Sequence, residues 1–175
     1  SNILSVLNQN LTVTGLTAGA SVLLVPSTNT AANLTVSANQ NVTLVIHDWG
    51  SALGFYWAHQ HPDAVSGIAY MEGIVCPLSW DDWPEGARGI FQGFRSAKGE
   101  NLVLERNMFV EAVLPSSVMR GLGEEEMQHY RAAFGTPDDR QPTLNWPRQI
   151  PIDGTPAAMV SLVTAYGEWL QSTTD

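Results

Sequence analysis

Two carboxylates, Asp48 and Glu72, are the residues of this sequence best placed to do chemistry. Asp48 follows an apolar run at 42–46 and a histidine, and a turn-like Trp-Gly-Ser then leads into a helical pattern at 52–61. A strand, a sharp turn and a helix form a nucleophile elbow, which lifts the side chain at its apex out of the sheet. Because that side chain is an aspartate, the nucleophile would be a carboxylate, which needs no base to attack an electrophilic carbon.

Each carboxylate also has a simpler interpretation. Aspartate is a common N-cap, so Asp48 could merely cap the helix that follows it. Glu72 ends a second apolar run at 67–71 and could be a strand-end charge that faces water. Two strands joined by a helix, however, form a parallel βαβ unit, in which both carboxylates lie at the C-terminal edge of the sheet. Ligands bind at that edge in sheets of this kind, so the pairing predicts a functional site.

Composition narrows the class of protein. The chain has 175 residues and a formal net charge of −9, which argues against nucleic acid or an anionic membrane surface as a partner. No apolar run reaches the length of a membrane span, and the first residues lack the basic region of a signal peptide. The single cysteine, Cys76, can form no intrachain disulfide, which fits a reducing compartment. We therefore expect a cytoplasmic protein.

The first 40 residues form a separate segment because they contain no charged residue and no histidine. They are rich in Asn and Thr, and short apolar runs at 11–14 and 22–25 predict strands or hairpins. The rest of this segment is expected to be plain strand or weakly ordered chain. At the other end, Thr155-Pro156 predicts an N-cap and a proline at N1 of a last helix. Its buried stripe would be Met159, Val163, Tyr166 and Leu170.

Several linked motifs from about residue 41 to residue 170 resemble the haloalkane dehalogenases of the α/β-hydrolase superfamily. They are His-Asp-Trp-Gly-Ser-Ala-Leu-Gly-Phe at 47–55, Gly-Ile-Ala-Tyr-Met-Glu at 67–72, Trp-Asp-Asp-Trp-Pro at 80–84, Phe-Gln-Gly-Phe-Arg at 91–95 and Pro-Thr-Leu-Asn-Trp-Pro-Arg-Gln-Ile-Pro at 142–151. Epoxide hydrolases share His-Asp-Trp-Gly, and the coelenterazine luciferases share much of the later pattern. The Ser-Ala-Leu-Gly continuation and the Tyr-Met-Glu strand favour the dehalogenases over both.

The resemblance implies an α/β-hydrolase fold: a parallel-sheet core around a nucleophile elbow, with an inserted helical cap. It divides the chain into the uncharged segment 1–40, a core with the elbow at 41–75, a helical cap at 76–154 and a core-packing helix at 155–175. Within the cap, we expect helices at 81–96 and 107–114 and a rigid Pro-rich turn at 146–150.

The resemblance also implies roles for individual residues. Asp48 would displace halide by in-line attack, which leaves an alkyl ester on the enzyme, and Trp49 would donate its indole N–H to the departing halide. Glu72 would orient a catalytic histidine. The substrate would be a small halogenated hydrocarbon, with water and halide as the other partners, and neither cofactor nor metal is implied. The expected pocket residues, which could equally be the plain core of a helical subdomain, are Phe91, Phe94, Phe109, Val113, Trp146, Pro147 and Ile150.

The sequence departs from the family pattern at both ends. Residues 1–40 show neither the family's early strands nor its His-Gly-Asn-Pro turn, whose Asn is the second halide donor. The chain stops before the Gly-x-His-Phe segment that carries the catalytic histidine, and its own histidines, among them His47, lie outside that context. His47 should point away from Asp48 because neighbouring side chains alternate. We therefore expect an incomplete dehalogenase that is inactive or stops after one turnover.

Two other functions fit parts of the pattern. A non-catalytic protein could keep the fold and use the apolar groove of the cap to bind a ligand or another chain. Epoxide hydrolysis normally needs a pair of cap tyrosines as acids, and Tyr130 is the only tyrosine in the expected cap. The sequence therefore favours a detoxifying hydrolase that acts on haloalkanes.

Overall fold

The chain divides into two compact units, one formed by residues 1–78 and 151–175 and the other by residues 79–150. Among the described residues, no helix is both long enough and apolar enough to cross a membrane. The computed structural model describes residues 42–173 and, as backbone only, residues 2–6, 11–13, 22–26 and 34–36.

The described strands of the first unit form three parallel pairs. The pairs are β1 (Asn2–Val6) with β3 (Val22–Pro26), β2 (Leu11–Val13) with β4 (Leu34–Val36), and β5 (Val42–His47) with β6 (Val65–Met71). Strands β2 and β3 lie where the apolar runs predicted strands. The hairpin alternative is wrong, because these strands pair in parallel, and parallel strands need a crossover rather than a tight turn. The weakly ordered parts expected in 1–40, and Asn41, lie outside the described residues.

Helix α1 (Trp49–Gln60) connects β5 to β6. The helix ends before Pro62, since a proline disfavours the helical conformation of the residue that precedes it. One face of the helix is buried through Ser51, Ala52, Phe55 and Ala58. Strand, helix and parallel strand therefore form the predicted βαβ unit.

The core of the first unit lies between α1 and the last helix, α6 (Ala157–Ser172). Phe55, Val163 and Tyr166 are fully buried there, and the Phe55 and Tyr166 rings lie 5.6 Å apart. Around them pack Ile46, Ile68, Ile74, Val75, Met159, Leu162 and Leu170. All four residues of the predicted stripe belong to this core.

The start of α6 differs from the prediction. Thr155 is not the N-cap, because its N–H and C=O groups both bond to Ile152 and close a turn at 152–155. Pro156 takes the N-cap position instead of N1, and Ala157 is the first helical residue. Two backbones with positive φ, Asp153 and Gly154, give the turn its shape. A local turn has therefore displaced the predicted cap by one residue.

The second unit is helical. Its core contains Phe94, Val103 and Leu144. The expected helix at 81–96 begins only after Pro84, and the expected helix at 107–114 is a π-helical turn preceded by Asn107 with φ of 51°. The Pro-rich turn is wrong, because Trp146 and Pro147 lie inside a helix. The elements are α2 (Glu85–Arg95), π-helical turns at Asn101–Glu105 and Phe109–Val113, α3 (Leu114–Ser116), α4 (Glu124–Ala133) and α5 (Gln141–Gln149).

Two arginines join α2 and α5, because the arginine near the end of each helix binds backbone carbonyl groups at the end of the other helix. Arg95 Nη1 donates to the carbonyl oxygens of Pro147 and Ile150, both at 2.8 Å. Arg148 Nε donates in return to the carbonyl oxygen of Phe94 at 3.0 Å. The last carbonyls of a helix lack partners within it and carry its negative partial charge, so a guanidinium stabilises them. The two helices are therefore connected by polar bonds as well as by the core.

Gly167→Ala should destabilise the first unit. A Cβ at this buried position in α6 would lie 2.6 Å from the carbonyl oxygen of Val75, and a backbone atom cannot move aside cheaply. Alanine gains about 1 kcal/mol over glycine inside a helix, whereas overpacking costs about 1–3 kcal/mol. We expect urea unfolding to show a net loss of up to about 2 kcal/mol. Gly89→Ala, at an exposed position with open space around it, should be neutral or stabilising.

Candidate active site

Asp48 and Glu72 lie side by side at the C-terminal ends of neighbouring strands. His47 in β5 pairs with Met71 in β6, so each carboxylate is the first residue after a paired strand end. The Asp48 N–H donates to the Met71 carbonyl at 3.3 Å, which extends the pairing by one residue. Both residues are exposed. The parallel register therefore brings the two acidic residues together, as the βαβ interpretation requires.

The backbone of Asp48 has the conformation of an elbow apex. Its φ is 48° and its ψ is −127°, a combination that residues with a Cβ rarely adopt. An N-cap residue normally has an extended backbone and accepts a hydrogen bond from the first helical turn. Among the described residues, no such bond to the Asp48 side chain forms. The capping interpretation therefore fails, and the side chain projects from a strained turn instead.

Ser51, fully buried in the first turn of α1, fixes this turn. Its hydroxyl donates to the Asp48 carbonyl at 2.5 Å, and its backbone N–H donates to the same oxygen at 2.9 Å. The hydroxyl oxygen also accepts from the backbone N–H of Ile74 at 2.8 Å. Ile74 lies two residues after Glu72. One buried hydroxyl therefore links the segments that carry the two carboxylates.

Tyr166 of α6 holds Ile74 from the other side. Its hydroxyl donates to the Ile74 carbonyl at 2.5 Å, and the residue is fully buried. Burial raises the pKa of the Tyr166 hydroxyl, with a smaller contribution from Cys76, so the tyrosine remains a proton donor. Sequence reasoning missed both Ser51 and Tyr166 as site residues. A signal existed for Tyr166, because a tyrosine on a buried stripe needs a hydrogen-bond partner for its hydroxyl.

Glu72 has a histidine partner in this structure. Its Oε2 lies 2.6 Å from Nε2 of His47, and both side chains are largely exposed. Glu72 itself has a left-handed backbone with φ of 49°. Glu72 therefore lies at a strand end and is exposed, as its simpler interpretation requires, and it also has a hydrogen-bond partner. The expectation that His47 points away from Asp48 did not anticipate this contact, because side-chain alternation holds within a strand and not in the turn that follows it.

The remaining predicted site residues lie in two places. Trp49 is the first residue of α1 and is half-buried. The predicted pocket residues all belong to the second unit. There Phe94 is fully buried in a core cluster against which Phe109 and Val113 pack, and the Phe91 ring lies 5.8 Å from that of Phe94. Pro147 and Ile150 are buried, and Trp146 is 38% exposed. Part of this set thus forms core, and the pocket role stays a prediction.

Comparison with known proteins gives consistent matches. A family model described as alpha/beta hydrolase fold matches residues 34–114. Haloalkane dehalogenases from Mycolicibacterium smegmatis and Sphingobium indicum are 55% and 56% identical over 130 residues, which are 74% of this chain and 42% and 44% of those proteins. The crystal structure of haloalkane dehalogenase DbeA from Bradyrhizobium elkani matches with a TM-score of 0.70 and 44% identity, over 77% of this chain and 47% of that one. The chain thus spans less than half the length of these relatives.

The strained carboxylate elbow, the parallel strands and these matches place the chain in the α/β-hydrolase superfamily. Within that superfamily, the relatives reported above are haloalkane dehalogenases, so the resemblance of its motifs is confirmed. The family match begins at residue 34 and therefore includes β4, although the motifs were recognisable only from about residue 41.

The strain at Asp48 predicts a difference in stability between two small substitutions. Asp48→Gly should be more stable than Asp48→Ala by about 1–2 kcal/mol, because only glycine adopts this backbone without a steric penalty. Urea unfolding of the two variants measures the difference. Equal stabilities would mean that the elbow carries no strain. The pair Asp63→Gly and Asp63→Ala is a suitable control, because Asp63 is exposed and lies in a short helical turn with ordinary backbone.

Proposed function

We propose that the protein containing this chain is a haloalkane dehalogenase, which converts a small haloalkane and water into an alcohol and halide. The observation that carries the proposal is the carboxylate of Asp48 at the apex of a strained strand–turn–helix, beside a second carboxylate. Relatives that carry this name, at 55% and 56% identity, support it.

In the first step, an Asp48 carboxylate oxygen attacks the carbon that bears the halogen. A carbon–oxygen bond forms as the carbon–halogen bond breaks, and the bonding electron pair leaves with the halide. The product is an alkyl ester of Asp48. Negative charge grows on the halogen as the bond breaks, so a donor placed in advance stabilises the transition state more than the substrate. We assign that donor role to the indole N–H of Trp49.

In the second step, water attacks the ester carbonyl carbon, the alcohol leaves and the Asp48 carboxylate is restored. A histidine accepts the proton of the attacking water, and Glu72 orients the imidazole and stabilises its charged form. Among the described residues, the histidine in contact with Glu72 is His47. Each turnover also delivers a proton to solvent.

The second unit is proposed as part of a helical cap at 76–154, and the first unit supplies a core at 41–75 and a core-packing helix at 155–175. Its apolar residues, among them Phe91 and Trp146, would line a dry pocket. A dry pocket favours displacement because the attacking carboxylate sheds its water. Halide and water are the small partners of the reaction. Removal of halogen makes the enzyme a detoxifying one, and the cytoplasm is its proposed location.

Asp48→Asn should abolish formation of the alkyl-enzyme and leave the fold unchanged, because an amide has the shape of the carboxylate but is a very poor nucleophile. The chain is incubated with 1-chlorohexane, and halide release and intact mass are recorded. We expect a mass increase of one hexyl group on the Asp48 peptide, or continued halide release, for the unchanged chain and neither for the variant.

Three outcomes of the same experiment separate the alternatives. Labelling that survives in Asp48→Asn shows that another group attacks. If the unchanged chain releases no halide and forms no adduct at any concentration, the chain is not catalytic, and a binding protein is favoured. In a parallel incubation in which an epoxide replaces 1-chlorohexane, an adduct that forms with the epoxide alone favours epoxide hydrolysis.

Trp49→Phe should slow the displacement step by roughly 10- to 1000-fold, because it removes a donor that acts mainly in the transition state. Trp57→Phe is the matched control, since Trp57 lies on the same helix and is also half-buried. Single-turnover halide release measures both variants. If the two substitutions have equal effects, the Trp49 indole contributes packing and not halide binding.

A further inference from the structure

Ser51, Ile74 and Tyr166 form a continuous set of hydrogen bonds, the elbow clamp, that no part of the reaction uses directly. The Asp48 carbonyl accepts from Ser51 Oγ at 2.5 Å, Ser51 Oγ accepts from the Ile74 N–H at 2.8 Å, and the Ile74 carbonyl accepts from Tyr166 Oη at 2.5 Å. The clamp thus begins at the nucleophile and ends on the last helix.

The direction of each bond in the clamp is determined. The Ile74 N–H can only donate, so Ser51 Oγ must accept from it, and the single serine proton remains for the Asp48 carbonyl. The carbonyl of Ile74 can only accept, so Tyr166 must donate. Ser51 and Tyr166 are both fully buried, so water does not compete for these bonds. The clamp therefore has one arrangement of protons and can hold one geometry.

The clamp lies where the strand pairing stops. The register of β5 and β6 ends at His47 and Met71, and one further bond joins the Asp48 N–H to the Met71 carbonyl. Beyond this point, Asp48 and Glu72 both have left-handed backbones, which persist only when their surroundings hold them. Ser51 restrains both segments, because it bonds to Asp48 itself and to Ile74, which lies two residues after Glu72.

We propose that Ser51 and Tyr166 are positioning residues for the two carboxylates of the site. Ser51 fixes the backbone of Asp48 and the segment of Glu72 relative to each other. Tyr166 fixes Ile74 from α6, so that the Glu72 segment cannot move away from Ser51. The kinetic part of this inference rests on the proposed dehalogenase function, and the structural part does not.

Ser51→Ala and Tyr166→Phe test the proposal, since each removes only the clamping hydroxyl. We expect the first-order rate constant of Asp48 alkylation by 1-chlorohexane to fall roughly 10- to 100-fold in Ser51→Ala, because small misplacements of a reacting group are costly. The chloroalkane concentration that gives half the maximal rate should change less than about twofold, since the apolar contacts of the substrate remain. In Tyr166→Phe, which leaves the Ser51 bonds in place, we expect a smaller fall in the rate constant.

The double variant distinguishes a shared function from two independent ones. Ser51 and Tyr166 hold the same residue, Ile74, so their effects on the rate constant should combine to less than the product of the single effects. Ser161→Ala and Tyr56→Phe are matched controls, because both residues are exposed on the same two helices, and neither should change the rate. A fall in stability with an unchanged rate constant per folded chain would show that the hydroxyls are merely structural and would overturn the proposal.

A spectroscopic measurement tests the clamp even in a chain that forms no adduct. In two-dimensional NMR, Ser51→Ala and Tyr166→Phe should shift the backbone resonances of Asp48 and Glu72, and the Ile74 amide should exchange faster with solvent. Unchanged resonances of Asp48 and Glu72 would overturn the proposal in either case. If Ser51→Ala does not fold, Tyr166→Phe, which keeps the ring and its packing, decides the question. Absence of alkylation in the unchanged chain, with these shifts present, would count against the proposed function alone.

Discussion

The left-handed backbone of Asp48 is the constraint on which the rest of the first unit depends. A residue with a Cβ in this conformation costs about 1–3 kcal/mol, so the surrounding structure must hold it there. Strand pairing holds the preceding residue, helix α1 begins at the following one, and Ser51 binds the carbonyl between them. The same conformation that strains the chain separates the carboxylate from the helix end, where it would otherwise serve as a cap.

Glu72 repeats this arrangement on the neighbouring strand. It too follows the last paired residue, and its φ of 49° is close to that of Asp48. Parallel pairing aligns the C-terminal ends of the two strands, so both carboxylates lie at one edge of the sheet. The backbone of Ile74, two residues after Glu72, is held at both of its polar groups: its N–H bonds to Ser51 and its carbonyl to Tyr166. The backbones that carry the two carboxylates are thus held by strand pairing and by these hydrogen bonds.

The elbow, the βαβ unit and the stripe on α6 were predictable because each depends on local pattern: β-branched runs, a proline that ends a helix, and apolar residues one turn apart. The elbow clamp was not, because its bonds join residues 23 and 92 positions apart in sequence. The parallel pairing of β1 with β3 and of β2 with β4 was not predicted, since short uncharged Asn- and Thr-rich runs do not specify their partner strands. The predicted Pro-rich turn at 146–150 was wrong because Pro147 lies in the last turn of α5. A proline there removes one helical hydrogen bond but does not by itself end the helix before it.

The residues that the proposed reaction requires are distributed over both units. The described residues that fix the nucleophile, Ser51 and Tyr166 among them, lie in the first unit, whose core of Phe55, Val163 and Tyr166 also anchors the clamp. The second unit has its own core and its own arginine–carbonyl bonds between α2 and α5. The residues that fix the strained turn and the residues proposed to line the pocket are therefore held by two different cores.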